Sequence, residues 1–455
     1  MIIQIRNLGV ISSASVSTAG NLTVLCGPNS TGKTYLSYML YHLFSDESFL
    51  NMDYYRDIIH SAKTGNILVF SYTKQMLDDF LNAQAVKAKT ELGVVFGIAN
   101  DEAGTLFGDL DLNLCLTEED YKHNQYLSGQ INAHYNNFTF KILLNEEPCQ
   151  VRIEKLDVNP IPESEEYKVW SYLICLAFRR VAMLPVHKPW MLTVERNSIY
   201  SFSKELSNYH AFDDYSLNGD DILRMTEFGP RRYPLAIRRS LRYASDLENI
   251  KKGRSPFYEY AVELEERLLH GIIESNQNGE IEFVIGKTSG DKHIPIHLTS
   301  SIVKTMASLI LHLKYSATPN DIIIIDEPEI NLHPDNQIVL TRVLGELINK
   351  GLRLIISTHS DYIVREFNNM MMARELKSVG NESYRVLGYQ DGMLLDKQQV
   401  KVYIFKIEND LRVTVQPARM DRYGFSVGTI DQTIRQQNEA TDTLHDVLKY
   451  DYPEL

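Results

Sequence analysis

The stretch of sequence that decides the fold is Gly27-Pro28-Asn29-Ser30-Thr31-Gly32-Lys33-Thr34, which directly follows the apolar run Leu22-Thr23-Val24-Leu25-Cys26. A strand, a glycine-rich turn and a helix in this order form the phosphate cradle called the P-loop. The glycines let backbone N–H groups approach phosphates closely. Lys33 supplies a positive charge for the β and γ phosphates, and the Thr34 hydroxyl is a ligand for Mg²⁺. The eight residues therefore predict a binding site for a nucleoside triphosphate.

A pair of carboxylates lies at the end of another apolar run, far along the chain. Ile322-Ile323-Ile324-Ile325 is typical of a strand buried on both faces, and Asp326-Glu327-Pro328-Glu329 follows it. Charges at the end of a buried strand are unfavourable unless the site uses them. We expect Asp326 to hold Mg²⁺, directly or through water, and Glu327 to orient the water that attacks the γ-phosphate. The alternative is a pair of carboxylates that only caps the next helix.

The next apolar run also ends in polar residues. Arg353-Leu354-Ile355-Ile356 leads into Ser357-Thr358-His359-Ser360. Ligands of open α/β sheets bind at the carboxyl ends of the strands. His359 is therefore predicted to donate a hydrogen bond to the γ-phosphate or to the attacking water, and the alternative is a structural histidine at a strand end.

Together these motifs resemble an ABC-type ATPase head of the branch that contains the SMC, RecF and OLD proteins. In that branch, a string like Asp326–Pro334 and a switch like Thr358–Ser360 recur as a pair. Glu195–Ser198 before Phe202–Leu206 also resembles a loop of stand-alone bacterial ATPases of this branch. The resemblance implies an α/β P-loop NTPase with a mixed central sheet flanked by helices, an antiparallel β-lobe and a helical insertion.

The resemblance also implies a signature loop that reaches across a head-to-head dimer to the γ-phosphate bound by the partner. The corresponding segment here is Leu298–Lys304, so Ser300 and Ser301 are the residues predicted to make this contact. The glycines of the family's loop are missing, and Thr299-Ser300 is also an ordinary helix N-cap. The glutamine of the family's Q-loop is expected near a predicted strand at Met183–Val186.

The predicted organisation is one head interrupted by an insertion. Its parts are 1–195, the N-terminal part of the head with the P-loop and β-lobe; 196–295, a mostly helical insertion; 296–400, the C-terminal part of the head with the signature helix, the Asp-Glu pair and the switch histidine; and 401–455, a β/α extension packed on the head. Lys141–Leu144 and Val151–Ile153 predict a β-hairpin of the β-lobe, and Ile281–Ile285 predicts another hairpin. The sequence shows no heptad run of the kind that forms the long coiled-coil arms of SMC proteins.

The segment predicted as the insertion carries a basic cluster. Its members are Arg231, Arg232, Arg238, Arg239, Arg242, Lys251, Lys252 and Arg254. Such a cluster predicts contact with the phosphate backbone of DNA or RNA, or docking of an acidic protein. The alternatives are a solvated basic face on a chain of net charge −13, or arginines that serve the dimer interface.

Composition and cysteine spacing limit the classes of protein to which the chain could belong. No stretch approaches the ~20 apolar residues of a membrane span, and the N-terminus lacks the features of a signal peptide. The four cysteines form no C-x-x-C pair, so neither a zinc site nor a disulfide framework is indicated. We expect a cytoplasmic protein.

The predicted function is hydrolysis of ATP to ADP and phosphate, with ATP and Mg²⁺ as cofactors. The chain is similar to stand-alone ATPase subunits of bacterial anti-phage defence systems such as Septu and PARIS. That resemblance implies a homodimer or higher oligomer whose ATP-sandwiched heads control a separate effector, often a nuclease. The alternative is a RecF-like DNA-binding ATPase of DNA repair or recombination. A scaffold that binds nucleotide without turnover is disfavoured, because the residues for hydrolysis are all present.

Overall fold

The computed structural model describes residues 1–45, 50, 52–183, 188–201, 233–276, 280–286, 292–408 and 411–451. In chain order the strands are β1 (Ile2–Leu8), β2 (Ile11–Ser17), β3 (Leu22–Cys26), β4 (Lys63–Thr64), β5 (Ile67–Ser71), β6 (Asp111–Cys115), β7 (Gly129–Tyr135), β8 (Phe138–Leu144), β9 (Gln150–Lys155), β10 (Pro189–Leu192), β11 (Ile272–Ser275), β12 (Ile281–Ile285), β13 (Lys292–Pro295), β14 (Ile322–Asp326), β15 (Arg353–Thr358), β16 (Val400–Ile407), β17 (Val413–Pro417), β18 (Met420–Asp421) and β19 (Gly424–Phe425).

The α-helices are numbered in the same way. They are α1 (Lys33–Ser45), α2 (Tyr54–Ala62), α3 (Lys74–Thr90), α4 (Leu92–Phe96), α5 (Asn100–Phe107), α6 (Glu118–Asn124), α7 (Glu163–Met183), α8 (Leu235–Ser245), α9 (Leu247–Ile250), α10 (Tyr258–Leu264), α11 (Ser301–Tyr315), α12 (Pro334–Asn349), α13 (Asp361–Ser378) and α14 (Gly428–Asp451). A π-helical turn at Glu265–Leu269 extends α10, and a 3₁₀ turn at Ile296–Leu298 precedes α11.

The central sheet has nine strands in the order β10-β14-β15-β3-β16-β17-β2-β1-β6. Along this order, the neighbouring strands β10, β14, β15, β3 and β16 pair in parallel. Antiparallel pairs join β16 to β17 and β1 to both β2 and β6. The carboxyl ends of β14, β15 and β3 therefore meet at one edge, where ligands of such sheets bind. This topology confirms the predicted α/β class with a mixed central sheet.

The four isoleucines of β14 show why this strand is apolar throughout. Ile322 and Ile324 belong to the core on one face of the sheet, whereas Ile323 and Ile325 belong to the core on the other face. Successive side chains of a strand point to opposite faces, so a strand covered on both sides has no polar position. Asp326, the last residue of β14 at the edge of the sheet, is also buried, so its charge lies in a desolvated position.

A separate antiparallel sheet has the strand order β4-β5-β9-β8-β7. Within it β8 pairs with β9, and Leu144 lies opposite Val151, as the predicted hairpin of the β-lobe requires. The segment predicted as a mostly helical insertion is mixed. It contains α8 to α10 and the antiparallel sheet β11-β12-β13, in which the predicted hairpin strand β12 has a partner on each side.

The C-terminal segment differs from the expected extension packed on the head. β16 pairs in parallel with β3, so it is a strand of the central sheet beside the P-loop. The side chains of α14 between Gln432 and Tyr450 are exposed, apart from the half-buried Ile434. This part of the helix is therefore exposed rather than packed on the head, with Leu444 65% exposed.

In the ranges that the structure describes, no helix is both long and apolar enough to cross a membrane. The longest helices in those ranges are α14 with 24 residues and α7 with 21 residues. Neither has the length of a coiled-coil arm, which agrees with the prediction from the missing heptads.

A buried histidine gives the fold a predictable response to acid. The His312 ring on α11 stacks on Trp190 of β10 at a centroid distance of 4.7 Å. Burial lowers the pKa of His312 from 6.5 to about 3, and the charge of Lys188 adds to this. Because the unfolded chain takes up this proton at higher pH than the folded chain, stability is lost as the pH falls below 6.5 toward 3.

We expect His312→Phe, which keeps a stacking ring, to remove this part of the pH dependence. Lowering the pH from about 7 to about 5 should cost the wild type about 2 kcal/mol more unfolding free energy than the variant. Urea unfolding of both proteins at the two pH values measures the difference. Equal losses in the two proteins would contradict the assignment.

Candidate functional site

The predicted phosphate-binding loop lies between β3 and α1, as the motif requires. Lys33 is 6% exposed, and its Nζ donates to the carbonyl oxygens of Gly27 at 3.1 Å and Pro28 at 2.8 Å. Burial lowers the pKa of Lys33, while the nearby carboxylates, Glu327 first, act in the opposite direction. A buried ammonium held by carbonyl dipoles favours the arrival of an anion such as a phosphate.

The two glycines of the loop fit tightly against neighbouring strands. A Cβ on Gly27 would lie 2.6 Å from the Cβ of Phe405 in β16. A Cβ on Gly32 would lie 2.9 Å from Cγ1 of Ile11, and Gly32 also has a φ of +86°. Close approach explains the first glycine, and the left-handed backbone explains the second. Strand β16, which comes near the end of the sequence, therefore packs directly against the phosphate-binding loop.

Asp326 joins the second motif to the first. It is 1% exposed, and its Oδ2 accepts a hydrogen bond from the Thr34 hydroxyl at 2.8 Å. Its Oδ1 accepts from the hydroxyl of Ser357 at the end of β15. A buried carboxylate beside a threonine hydroxyl is a donor set that suits Mg²⁺, which binds hard oxygen ligands. Thr34 and Asp326 are thus close enough to serve one ion, and Ser357 is a neighbour that the sequence analysis did not identify.

Glu327 and His359 lie beside each other, as their predicted roles require. The Oε1 of Glu327 is 3.7 Å from Nε2 of His359. Burial raises the pKa of Glu327, and the charge of Asp326 adds to this. Burial together with Lys33 lowers the pKa of His359 to about 4, so its imidazole is neutral near pH 7. A carboxylate that accepts a proton and a neutral imidazole that donates a hydrogen bond can therefore act at the same place.

Glu329 holds the segment that carries the histidine. Its Oε1 accepts hydrogen bonds from the backbone N–H of His359 at 2.6 Å and from the Thr358 hydroxyl at 2.9 Å. Burial raises the pKa of Glu329. The sequence analysis gave this second glutamate no role, and its structural position is that of a support for the switch segment.

Two further hydrogen bonds connect the site with neighbouring helices. Nδ2 of Asn331 donates to the buried hydroxyl of Thr305 in α11 at 3.0 Å. The Ser360 hydroxyl donates to Oε1 of Gln337 in α12 at 2.5 Å. The loop after the carboxylates is therefore tied to the helix that begins at Ser301.

The predicted signature serines lie apart from the rest of the site. Ser300 and Ser301 are exposed at the N-terminus of α11. Within the described part of the chain, neither serine is hydrogen-bonded to the P-loop. Their exposure is compatible with the predicted contact across a dimer, which remains a prediction.

The Q-loop prediction needs a correction. Met183 is the last residue of α7 rather than part of a strand, and residues 184–187 lie outside the described residues. The strand beside β14 is β10, and the polar segment 193–198 follows it. The predicted strand is therefore wrong at Met183, and the position of the Q-loop glutamine stays a prediction. The Phe202–Leu206 segment lies outside the described residues.

Most of the described basic cluster makes contacts within the molecule. Arg238 donates to the carbonyl of Val94, and Arg239 donates to the carbonyl of Ser45. The remaining partners include Glu248 for Lys251, Asn249 for Lys252 and Glu259 for Arg254. Arg242 is exposed on α8, and Arg231 and Arg232 lie outside the described residues.

Comparison with known proteins agrees with the nucleotide-binding prediction. Residues 185–364, less than half of the chain, match the AAA ATPase domain family. This segment includes the Asp-Glu pair and the switch histidine, and the match confirms the predicted ATPase class for this part. The search of curated proteins found no match.

Solved structures of SMC heads show a distant likeness. The SMC head domain from Thermotoga maritima is 9% identical with a TM-score of 0.32, over 92% of this chain and 98% of that chain. The SMC head bound to the C-terminal winged-helix domain of ScpA is 10% identical with a TM-score of 0.35, over the same shares of the two chains. At these values the likeness adds nothing to the geometry of the site.

Proposed function

We propose that the chain binds ATP with Mg²⁺ and hydrolyses it to ADP and phosphate. The observation that carries this proposal is the hydrogen bond between Thr34 and Asp326, which joins the two predicted motifs at one edge of the sheet. Lys33 would exchange its carbonyl partners for the β and γ phosphates. Mg²⁺ would be held by Thr34 and Asp326 and would neutralise phosphate charge when bound.

The remaining residues supply the chemistry of water attack. Glu327 accepts a hydrogen bond from the attacking water and directs its lone pair at the γ-phosphate. The neutral imidazole of His359 donates a hydrogen bond to the γ-phosphate or to that water. Glu329 keeps the imidazole in place through the backbone N–H of His359.

The test of this activity is phosphate release from ATP by the purified full chain, with Mg²⁺ and with the chelator EDTA. We expect steady release that requires Mg²⁺. Tight ATP binding without any release would instead support a scaffold that binds nucleotide and does not turn it over.

We further propose that two heads close over two nucleotides and that this closure controls a separate effector protein. The exposure of Ser300 and Ser301 at a helix N-terminus supports the closure, because free N–H groups and hydroxyls there suit a partner's γ-phosphate. The resemblance to anti-phage ATPase subunits supports the effector, which in such systems is often a nuclease.

The RecF-like alternative predicts that DNA stimulates hydrolysis. Arg238 and Arg239 already donate to backbone carbonyls, which leaves fewer groups for a phosphate backbone. We therefore expect double-stranded DNA to leave the hydrolysis rate unchanged at physiological salt. Strong stimulation that is lost in an Arg242→Glu variant would favour the repair-type function.

A further inference from the structure

Arg196 is a buried arginine that contacts the main chain of the predicted catalytic pair. It is 3% exposed. Its Nη1 donates to the carbonyl oxygen of Asp326 at 2.7 Å and to that of Thr193 at 2.9 Å. Its Nη2 donates to the carbonyl oxygen of Glu327 at 2.7 Å. One guanidinium therefore holds two consecutive carbonyl groups at the end of β14.

The sheet around Arg196 explains why this contact is needed. The pairing of β10 with β14 ends at Leu192 and Ile325, so the backbone beyond this pair has no strand partner on that side among the residues that the structure describes. Arg196 follows β10 and takes over these hydrogen bonds. Glu327 also has a φ of +50°, a left-handed conformation that is unfavourable for a residue with a side chain. The two hydrogen bonds from the planar guanidinium of Arg196 hold this unfavourable backbone conformation in place.

Arg196 also affects the charge of the pair. Burial lowers the pKa of Arg196 to about 10, while the nearby carboxylates, Asp326 first, oppose this change. Burial raises the pKa of Glu327. The positive charges of Lys33 and Arg196 both act against this effect and lower it.

We propose that Arg196 is a positioning residue for ATP hydrolysis, whose two N–H groups fix the backbone from Asp326 to Glu327 and so place both carboxylates. This inference rests on the proposed function. A lysine cannot replace it, because a single ammonium lacks the planar fork that reaches two carbonyls in fixed directions. A displacement of about 1 Å in a reacting group can cost about a hundredfold in rate.

Arg353 offers a matched control on the same sheet. It is 4% exposed at the start of β15, the end of the strand opposite to the site. Its Nη2 donates to the carbonyls of Thr18 at 2.5 Å and Gly20 at 2.7 Å. Burial lowers its pKa to about 10, as it does for Arg196. The two arginines thus have similar structural roles, and only one of them touches the site.

The experiment compares Arg196→Lys with Arg353→Lys in the full chain. We expect kcat to fall at least about tenfold in Arg196→Lys and less than about twofold in Arg353→Lys, at a temperature where both remain folded. The second readout is the affinity for the slowly hydrolysed analogue ATPγS, measured with Mg²⁺ and with EDTA. We expect the gain in affinity from Mg²⁺ to fall about tenfold in Arg196→Lys only, because Asp326 is displaced. The affinity in EDTA should stay unchanged.

The outcomes separate this inference from the proposed function. Equal effects of the two substitutions on kcat and on the gain from Mg²⁺, or full activity of Arg196→Lys, would overturn the positioning role. If the wild type binds ATP without hydrolysing it, the proposed activity is wrong, and the Mg²⁺-dependent affinity alone decides the role of Arg196. If Arg196→Lys does not fold, Arg196→Gln and Arg353→Gln provide the same comparison, since an amide can still donate to one carbonyl.

Discussion

Glu327→Gln is expected to bind ATP with unchanged affinity and to lose hydrolysis by about 10²–10⁴-fold, the usual contribution of a general base. The amide has the shape of the carboxylate and cannot accept the proton from water. Since the carboxylate lies 3.7 Å from His359 and the backbone N–H of Glu327 donates to the carbonyl of Ser357 whatever the side chain, the substitution should leave the local structure intact. Phosphate release and ATP affinity measured on the same preparation test both parts of this prediction.

Glu329→Gln is the matched control, since it changes the same residue type two positions further on. Its amide oxygen can still accept the hydrogen bonds from His359 N–H and the Thr358 hydroxyl. We therefore expect a loss of activity of no more than about tenfold. A loss as large as that of Glu327→Gln would mean that the position of the switch segment, and not proton transfer, limits the rate.

The same Glu327→Gln protein tests the dimer model. If heads close over ATP and open after hydrolysis, the variant should accumulate a nucleotide-locked dimer or higher oligomer. Light scattering after size-exclusion chromatography with ATP and Mg²⁺ measures this directly. A variant that stays monomeric with ATP bound would exclude contact across a dimer by Ser300 and Ser301.

The parts of the site that could be predicted are those encoded in short stretches of sequence. The strand, turn and helix around Lys33 and the isoleucine run before Asp326 each form a local pattern with its own periodicity. Both patterns end at the carboxyl edge of a parallel sheet, so their meeting followed from topology. The hydrogen bond between Thr34 and Asp326 is the contact through which the two motifs meet.

The parts that could not be predicted depend on contacts between distant segments. Nothing local in β16 shows that it pairs with β3, because a short apolar strand can join any sheet edge. Arg196 lies in the Glu195–Ser198 segment that carried part of the resemblance, but its role could not be predicted, since its partners are backbone carbonyls and carry no residue-type signal. The C-terminal helix was expected to pack on the head, yet the side chains of α14 between Gln432 and Tyr450 are exposed apart from Ile434, because a helix predicted from sequence does not show what covers its faces.

Lys33→Ala is expected to weaken ATP binding by about 10²–10⁴-fold. Hydrogen bonds to charged groups contribute about 1.5–3 kcal/mol each, and the ammonium can bind two phosphates. Each 1.4 kcal/mol corresponds to about a tenfold change in affinity. Titration calorimetry with ATP and Mg²⁺ measures the change. An affinity equal to that of the wild type would refute the assignment of residues 27–34 as the phosphate-binding loop.

Lys33→Met separates the lost charge from lost packing, because it keeps an unbranched side chain of similar length in a position that is 6% exposed. The charge explanation predicts that Met and Ala variants lose binding equally. It also predicts that neither variant gains thermal stability from ATP, since a ligand stabilises a fold in proportion to its binding. Among the described residues, the ammonium donates to two carbonyls of its own loop, so both variants should melt close to the wild type when no ATP is added. Binding retained by Met and lost by Ala would show that the loop needs the length of Lys33 rather than its charge.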